Sequence, residues 1–271
     1  MKPMTRSTIL VICGFLVFSM ALTALSTMSI AYGQSATPTA IPLPHWTYEG
    51  AEGPDKWGKL DDRFAVCATG HAQSPIDLTK AQKLNLVDIK FNYKSSKLNI
   101  FNNGHTIQVN YDAGSSIIYN EIEYKLVQFH FHHPSEHTID GKAFDMELHF
   151  VHQNASGDLA VVGVMIHQSD KDNAAYASIF DNLPSAAGTP QATTAMIDAA
   201  KLLPDVRLYD TYVGSLTTPP CSEGVRWLVL TTPIDLSAKQ IEAFAKLFEG
   251  NARPVQIINS RDLLQDNVTA K

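Results

Sequence analysis

Residues 127–152 read VQFHFHHPSEHTIDGKAFDMELHFVH, and their alternation decides the fold. Residues two apart on a β-strand share a face. Gln128, His130 and His132 therefore point one way, while Phe129 and Phe131 point into core on the other side. The end of the stretch repeats the pattern, with Glu147, His149 and Val151 on one face and Leu148 and Phe150 on the reverse. Between them, Asp140-Gly141 is a strong signal for a two-residue hairpin turn. With that turn as centre and no bulge, His132 falls opposite His149, and three imidazoles meet on one face of one sheet.

Catalytic zinc commonly takes three protein ligands and keeps a fourth position open. Each ligating histidine normally donates its second ring N–H to an outer acceptor. Gln128 and Glu147 stand two residues from His130 and His149 on the same faces, where such acceptors are needed. A lone His-x-His would more simply be a solvated face. Here an amide, three imidazoles and a carboxylate are backed by aromatics, a poor random wet surface. The stretch reads as a centre for one Zn2+ per chain, held by His130, His132 and His149.

The 271 residues are 45% hydrophobic and 18% charged, an ordinary globular balance. Residues 1–33 read as a secretory signal: Lys2 and Arg6 open it, residues 9–30 are mostly apolar, and Ala31-Tyr32-Gly33 offers small residues for cleavage. Residues 9–30 are also long enough to span a membrane, but Thr and Ser crowd their second half and no basic stop follows. No stable anchor is expected after cleavage, and the chain is expected in the periplasm or outside the cell. Cleavage takes away two positive charges and no negative ones, moving the net charge from −6 to −8. An acidic body without a basic run argues against nucleic acid as a partner. Cleavage also removes Cys13, leaving Cys67 and Cys221. An even pair in an exported protein reads as a disulfide, with two separate buried thiols as the alternative.

Residues 34–44, QSATPTAIPLP, form a Pro/Thr/Ala spacer, and residues 45–271 are long enough for one domain with a sizeable core. From 84 to 164 short β-like runs are separated by Asn, Asp and Gly, which suggests a mainly antiparallel sheet. Residues 170–182 and 193–203 have helical spacing, the second ended by Pro204. Ser237 and Gln240 form a capping box ahead of an apolar stripe, Ile241, Phe244, Leu247 and Phe248. Residues 224–231 and 254–259 look like further strands.

QFHFH at 128–132, Glu136-His137 and ELHFVH at 147–152 resemble the active-site core of the α-class carbonic anhydrases, exported bacterial type. Gln73-Ser74-Pro75-Ile76, Asn102-Asn103-Gly104-His105, GSLTTPP at 214–220 and Asn251-Ala252-Arg253-Pro254 resemble further motifs of that family, so the match runs from about His45 to Leu264. The resemblance implies a mainly β single domain, a twisted and mostly antiparallel sheet of about ten strands with peripheral helices. It implies reversible hydration of carbon dioxide to bicarbonate and a proton by attack of zinc-bound hydroxide. The zinc-water pKa of about 7 is a family value, not one read from this chain.

Residue by residue, the resemblance makes His105 the proton shuttle, Thr217 the hydroxyl that orients the hydroxide, and Glu136 the carboxylate that receives the Thr217 proton. Its Asn251 carbonyl receives the His132 ring proton. Val151, Val161, Leu216, Thr218, Val225 and Trp227 match the substrate pocket. Tyr48, Asn103 and Gln108 match the water chain toward the shuttle, although Gln108 stands where many members have Asn. His137 and Tyr212 match a buried structural pair, Pro75 and Pro220 match prolines after cis bonds, and Cys67 and Cys221 match the family's single disulfide. Two other readings compete with this one. A non-catalytic binding module on this fold typically lacks a zinc histidine, and all three are present. A zinc hydrolase for larger esters or peptides is disfavoured by the aliphatic wall.

Overall fold

Fourteen strands alternate with short helices in the computed structural model, which describes residues 42–188 and 190–267. The expected leader and most of the expected spacer lie outside the described residues. The strands are β1 (Gln82–Leu84), β2 (Lys90–Asn92), β3 (Ser96–Asn102), β4 (Ile107–Asn110), β5 (Ser116–Tyr119), β6 (Ile122–His132) and β7 (Thr138–Ile139). They continue with β8 (Lys142–Ala143), β9 (Met146–Gln153), β10 (Leu159–Ser169), β11 (Gln191–Ile197), β12 (Tyr209–Ser215), β13 (Glu223–Ser237) and β14 (Leu264–Asp266). The α-helices are α1 (Trp57–Leu60), α2 (Val66–Thr69), α3 (Ala177–Phe180) and α4 (Ala238–Ala245).

Twelve strands form one sheet in the order β1-β14-β12-β13-β10-β9-β6-β4-β3-β11, with β5 paired to β6 and β2 to β5. Pairing between these strands is antiparallel except at β10–β13 and β1–β14. The expected mainly β, mostly antiparallel sheet is thus present, with a parallel pair at its centre. The long buried run of β10, LAVVGVMI, suits a strand covered on both faces.

The alternation read in the sequence sorts the core. Phe129, Phe131, Leu148 and Phe150 are buried in the larger cluster, where the Phe131 ring meets Phe180 of α3 and Phe244 of α4. Each contributes roughly 1.5–3 kcal/mol by leaving water. The capping box forms: Gln240 N donates to Ser237 Oγ at 3.2 Å and Ser237 N to Gln240 Oε1 at 3.1 Å. It starts α4, whose Ile241 and Phe244 are buried; Leu247 and Phe248, just past the helix end, pack at the margin of the same cluster.

Several expectations are corrected. Asp140-Gly141 does turn a hairpin, with φ of 50° and 73°, but the hairpin is the separate two-stranded sheet β7–β8. The main pairing of β6 with β9 is displaced by two residues, because the five residues 133–137 on one side face only the three residues 144–146 on the other. His130, not His132, therefore stands opposite His149. An even displacement keeps every side chain on its face. The helix expected at 170–182 shrinks to a 3₁₀ turn, Ala174–Tyr176, and α3. Asn173 caps that turn and is tied to Gln240 and Asp235, so the helix cannot begin earlier. Residues 193–203 form no α-helix: through Ile197 they belong to β11, which adds to the free edge of β3, Thr193 Oγ1 donates to the Leu98 carbonyl, and Ala199–Leu202 turns as a 3₁₀ helix. Backbone pairing at that edge overrides the helical spacing. Residues 254–259 form no strand; Gln256 N and the Asn259 side chain bond the Pro75 and His71 carbonyls instead.

Candidate metal centre

Three imidazoles converge where β6 and β9 pair. His130 lies opposite His149 and His132 opposite Glu147, while β4 sets Gln108 beside His130 and β10 sets Gly163 beside His149. Glycine at 163 is a matter of space, since a Cβ there would meet Glu147 Oε1 at 3.0 Å. Ring centroids are 5.0 Å apart for His130–His132, 5.3 Å for His130–His149 and 4.6 Å for His132–His149. One nitrogen from each ring lies within 4.8 Å of the others.

The second nitrogen of each ring is held from behind. Gln128 Oε1 is 2.8 Å from His130 Nδ1, and the Asn251 carbonyl is 2.7 Å from His132 Nδ1. Glu147 Oε1 is 2.8 Å from His149 Nε2, a close contact without the alignment of a hydrogen bond. Glu147 is itself fixed, its Oε2 accepting from the amides of Glu136 and His137 at 2.9 Å. His137 joins Glu147 at 2.8 Å and Tyr212 at 2.7 Å, so its ring nitrogens are both engaged away from the trio.

Burial keeps the imidazoles neutral. It pushes His130 well below the usual histidine value, with His132 and His149 adding to the effect, lowers His132 to about 4, and lowers His149. Neutral rings leave lone pairs to donate. His132 Nε2 is fully buried and has no hydrogen-bond partner. An orphaned buried nitrogen among neutral imidazoles calls for an ion, and the donor set fits zinc.

Glu136 lies against this trio, its Oε2 3.5 Å from His132 Nε2 and 3.9 Å from His149 Nδ1. Burial pushes its carboxyl up to about 7, opposed by His149, the Arg253 amide and the Thr217 hydroxyl. Oε1 accepts from Arg253 N at 2.9 Å, while Oε2 has no hydrogen-bond partner. Thr217 is buried in the loop after β12, where Leu216 N bonds the Ser222 carbonyl and Cys221 N the Thr218 carbonyl. Cys221 is disulfide-bonded to Cys67, with Cα atoms 5.0 Å apart.

A cavity of about 120 Å³ leads from His130 and His132 to His105, lined also by Tyr48, Asn103, Gln108 and Thr218. Asn103 Oδ1 accepts from the amides of His105 and Thr106 at 2.9 Å, which shapes the turn, with Gly104 at φ 91°. The Asn103 side-chain amide donates to Gln108 Oε1 at 3.2 Å. Next to His149, Val161 pairs in register with both Val151 and Trp227. Val225 and Leu216 join the same apolar cluster, and the Trp227 ring is 4.8 Å from His149.

Two side chains at the site escape sequence reasoning. Trp46 stacks flat on His105, centroids 3.7 Å apart and planes 6° from parallel. A loop aromatic carries no periodic signal. Arg253 is buried and donates to Gln73 Oε1, the Ser74 carbonyl and the Cys67 carbonyl, knitting the 67–75 segment to Glu136. Its motif is visible in the sequence, but its partners are not. Peptide bonds 74–75 and 219–220 are cis, as the resemblance implied, and 133–134 is a third.

The family model for eukaryotic-type carbonic anhydrases matches residues 52–267. A carbonic anhydrase of Nostoc sp. is 42% identical over 251 residues, 90% of this chain and 95% of the relative. One from Neisseria gonorrhoeae is 43% identical over 223 residues, 82% of this chain and 88% of the relative. A hyperthermostable carbonic anhydrase from a hydrothermal vent chimney superposes with a TM-score of 0.80 at 46% identity, covering 82% of this chain and all of that one.

Proposed function

Because this chain belongs to the α-class, eukaryotic-type carbonic anhydrases, we propose that it hydrates carbon dioxide reversibly at a zinc ion held by His130, His132 and His149. The observation that carries the reading is the buried, unpartnered His132 Nε2 beside two neutral imidazoles. Zinc bound there supplies a water acidic enough to lose its proton near neutral pH. Gln128, Asn251 and Glu147 fix the ligand rings from behind. Thr217 has one hydroxyl proton; directed to Glu136, it leaves the oxygen able only to accept, and so orients the attacking oxygen's lone pair. The Thr217 backbone N–H meets a substrate oxygen as charge grows on it. Val151, Val161, Leu216, Thr218, Val225 and Trp227 shape a small pocket for an uncharged molecule. Tyr48, Asn103 and Gln108 order water toward His105, which takes the proton out.

Residues 1–33 are proposed to be removed on export, and residues 45–271 to be the catalytic domain. The Cys67–Cys221 bond supports an oxidising destination. No helix among the described residues is long and apolar enough to cross a membrane. Stopped-flow hydration of carbon dioxide, run with a zinc count per chain, tests the reading. One zinc with fast hydration supports it; fast hydration from metal-free protein refutes it. His105→Ala should lose maximal rate in dilute buffer and regain it with added imidazole.

A further inference from the structure

The geometry points to a second proton carrier at the rim: His45, backed by Glu52, receives the proton from His105 and passes it to buffer. This rests on the reading of His105 as the shuttle.

Trp46 covers one face of the His105 ring, while protons are exchanged in the ring plane, at its two nitrogens. His105 lines the cavity that reaches His130. It also lines an open cleft of about 370 Å³, whose lining includes His45, Glu49 and Glu249. The His45 ring centroid is 6.3 Å from that of His105, a gap that a bridging water can close. Glu52 Oε2 is 2.9 Å from His45 Nδ1, which leaves Nε2 on the opposite side of the ring. The His45 side chain is 70% exposed, so buffer reaches it freely. The charged side chains lining the cleft are both carboxylates, which favour a cation there over one deeper in.

Burial lowers the pKa of His105, and neighbouring His45 lowers it further, so a proton placed on His105 is readily given up. The transfer balances within the pair. A proton enters one ring nitrogen of His45 through water, and the proton on the other nitrogen leaves to Glu52 or to the base form of the buffer. Glu52 neutralises the charge that the arriving proton brings.

The test compares the full-length zinc enzyme with His45→Ala, His45→Phe, His105→Ala and the His45→Ala/His105→Ala double variant, measuring maximal hydration rate across buffer concentrations. His45→Ala should lose roughly threefold in dilute buffer, a fraction of what full loss of a proton-transfer group gives, and recover in concentrated imidazole. His45→Phe keeps a ring against its neighbours without a titratable nitrogen and should be as slow. Carriers acting in series predict that the double variant loses no more than His105→Ala alone. A full rate for His45→Phe would reduce His45 to packing and overturn the relay. Buffer dependence in His105→Ala with none in His45→Ala overturns the relay and leaves the shuttle standing. No buffer dependence in His105→Ala removes the shuttle, and the relay with it.

Discussion

His130 and His149 stand directly opposite each other across β6 and β9, and their ring centroids are 5.3 Å apart at nearly a right angle, 89°. This pairing brings a ring from the second strand to the two rings spaced along the first. Removing His149 takes the third imidazole from the trio and leaves His130 and His132 on a single strand. His149→Ala should therefore weaken zinc binding by more than about a hundredfold, beyond what loss of an outer-shell partner costs. Zinc per chain after dialysis checks this; full occupancy in the variant contradicts the ligand set.

How much of that centre could be read in advance follows from the range of the interactions. Polar-aromatic alternation at 128–132 and 147–151 obeys a period of two, which backbone geometry imposes locally, so the faces were legible. The register was not. It depends on the unequal lengths of 133–137 and 144–146 around β7–β8, and an even displacement leaves no trace in the pattern. β11 failed for a related reason: its pairing partner β3 is remote in sequence, and edge pairing won over local spacing. Arg253 is the extreme case, since its contacts with Gln73, Ser74 and Cys67 span 180, 179 and 186 residues.

Thr217 lies outside the ligand set yet shifts the Glu136 carboxyl, so its removal separates orientation from metal binding. Thr217→Ala should slow hydration about a hundredfold, the scale of losing one preorganised hydrogen-bonding group. Zinc content should stay at the parent's level. Stopped-flow rates beside metal analysis check both; an unchanged rate removes the orienting role.

His152 offers a pH test away from the metal ligands. Its ring is buried between the Tyr93 hydroxyl, 2.8 Å from Nε2, and the Ala160 carbonyl, 3.3 Å from Nδ1. Burial pushes its pKa down to about 3, against the opposing pull of the Ala160 and Phe150 backbones. An unfolded chain takes up this proton near pH 6.5 and the folded one does not until about 3. The stability is full above 6.5 and falls as pH drops between those values, by about 1.4 kcal/mol per pH unit. His152→Gln, which cannot titrate, should flatten the acid limb by about one proton. Denaturant unfolding of parent and variant between pH 4 and 6.5 measures it, and parallel limbs would show that His152 is not buried neutral.

The Cys67–Cys221 bond closes a loop across a separation of 154 residues, and both half-cystines sit in a cluster with Trp57 and Phe64. Reduction leaves two thiols in the same packed surroundings, so the folded contacts persist and the main effect falls on the unfolded chain. The chain-entropy model sets the loss at about 5 kcal/mol for so long a loop, with 2–5 kcal/mol typical of native bonds. A less constrained unfolded chain also exposes more surface, which steepens the dependence on denaturant. Reduced protein, or a Cys67→Ala/Cys221→Ala variant, should therefore unfold at lower urea concentration and with a larger m-value than the oxidised parent. A lower midpoint with an unchanged m-value would place the effect in the folded state, and an unchanged midpoint would deny the bond a stabilising role.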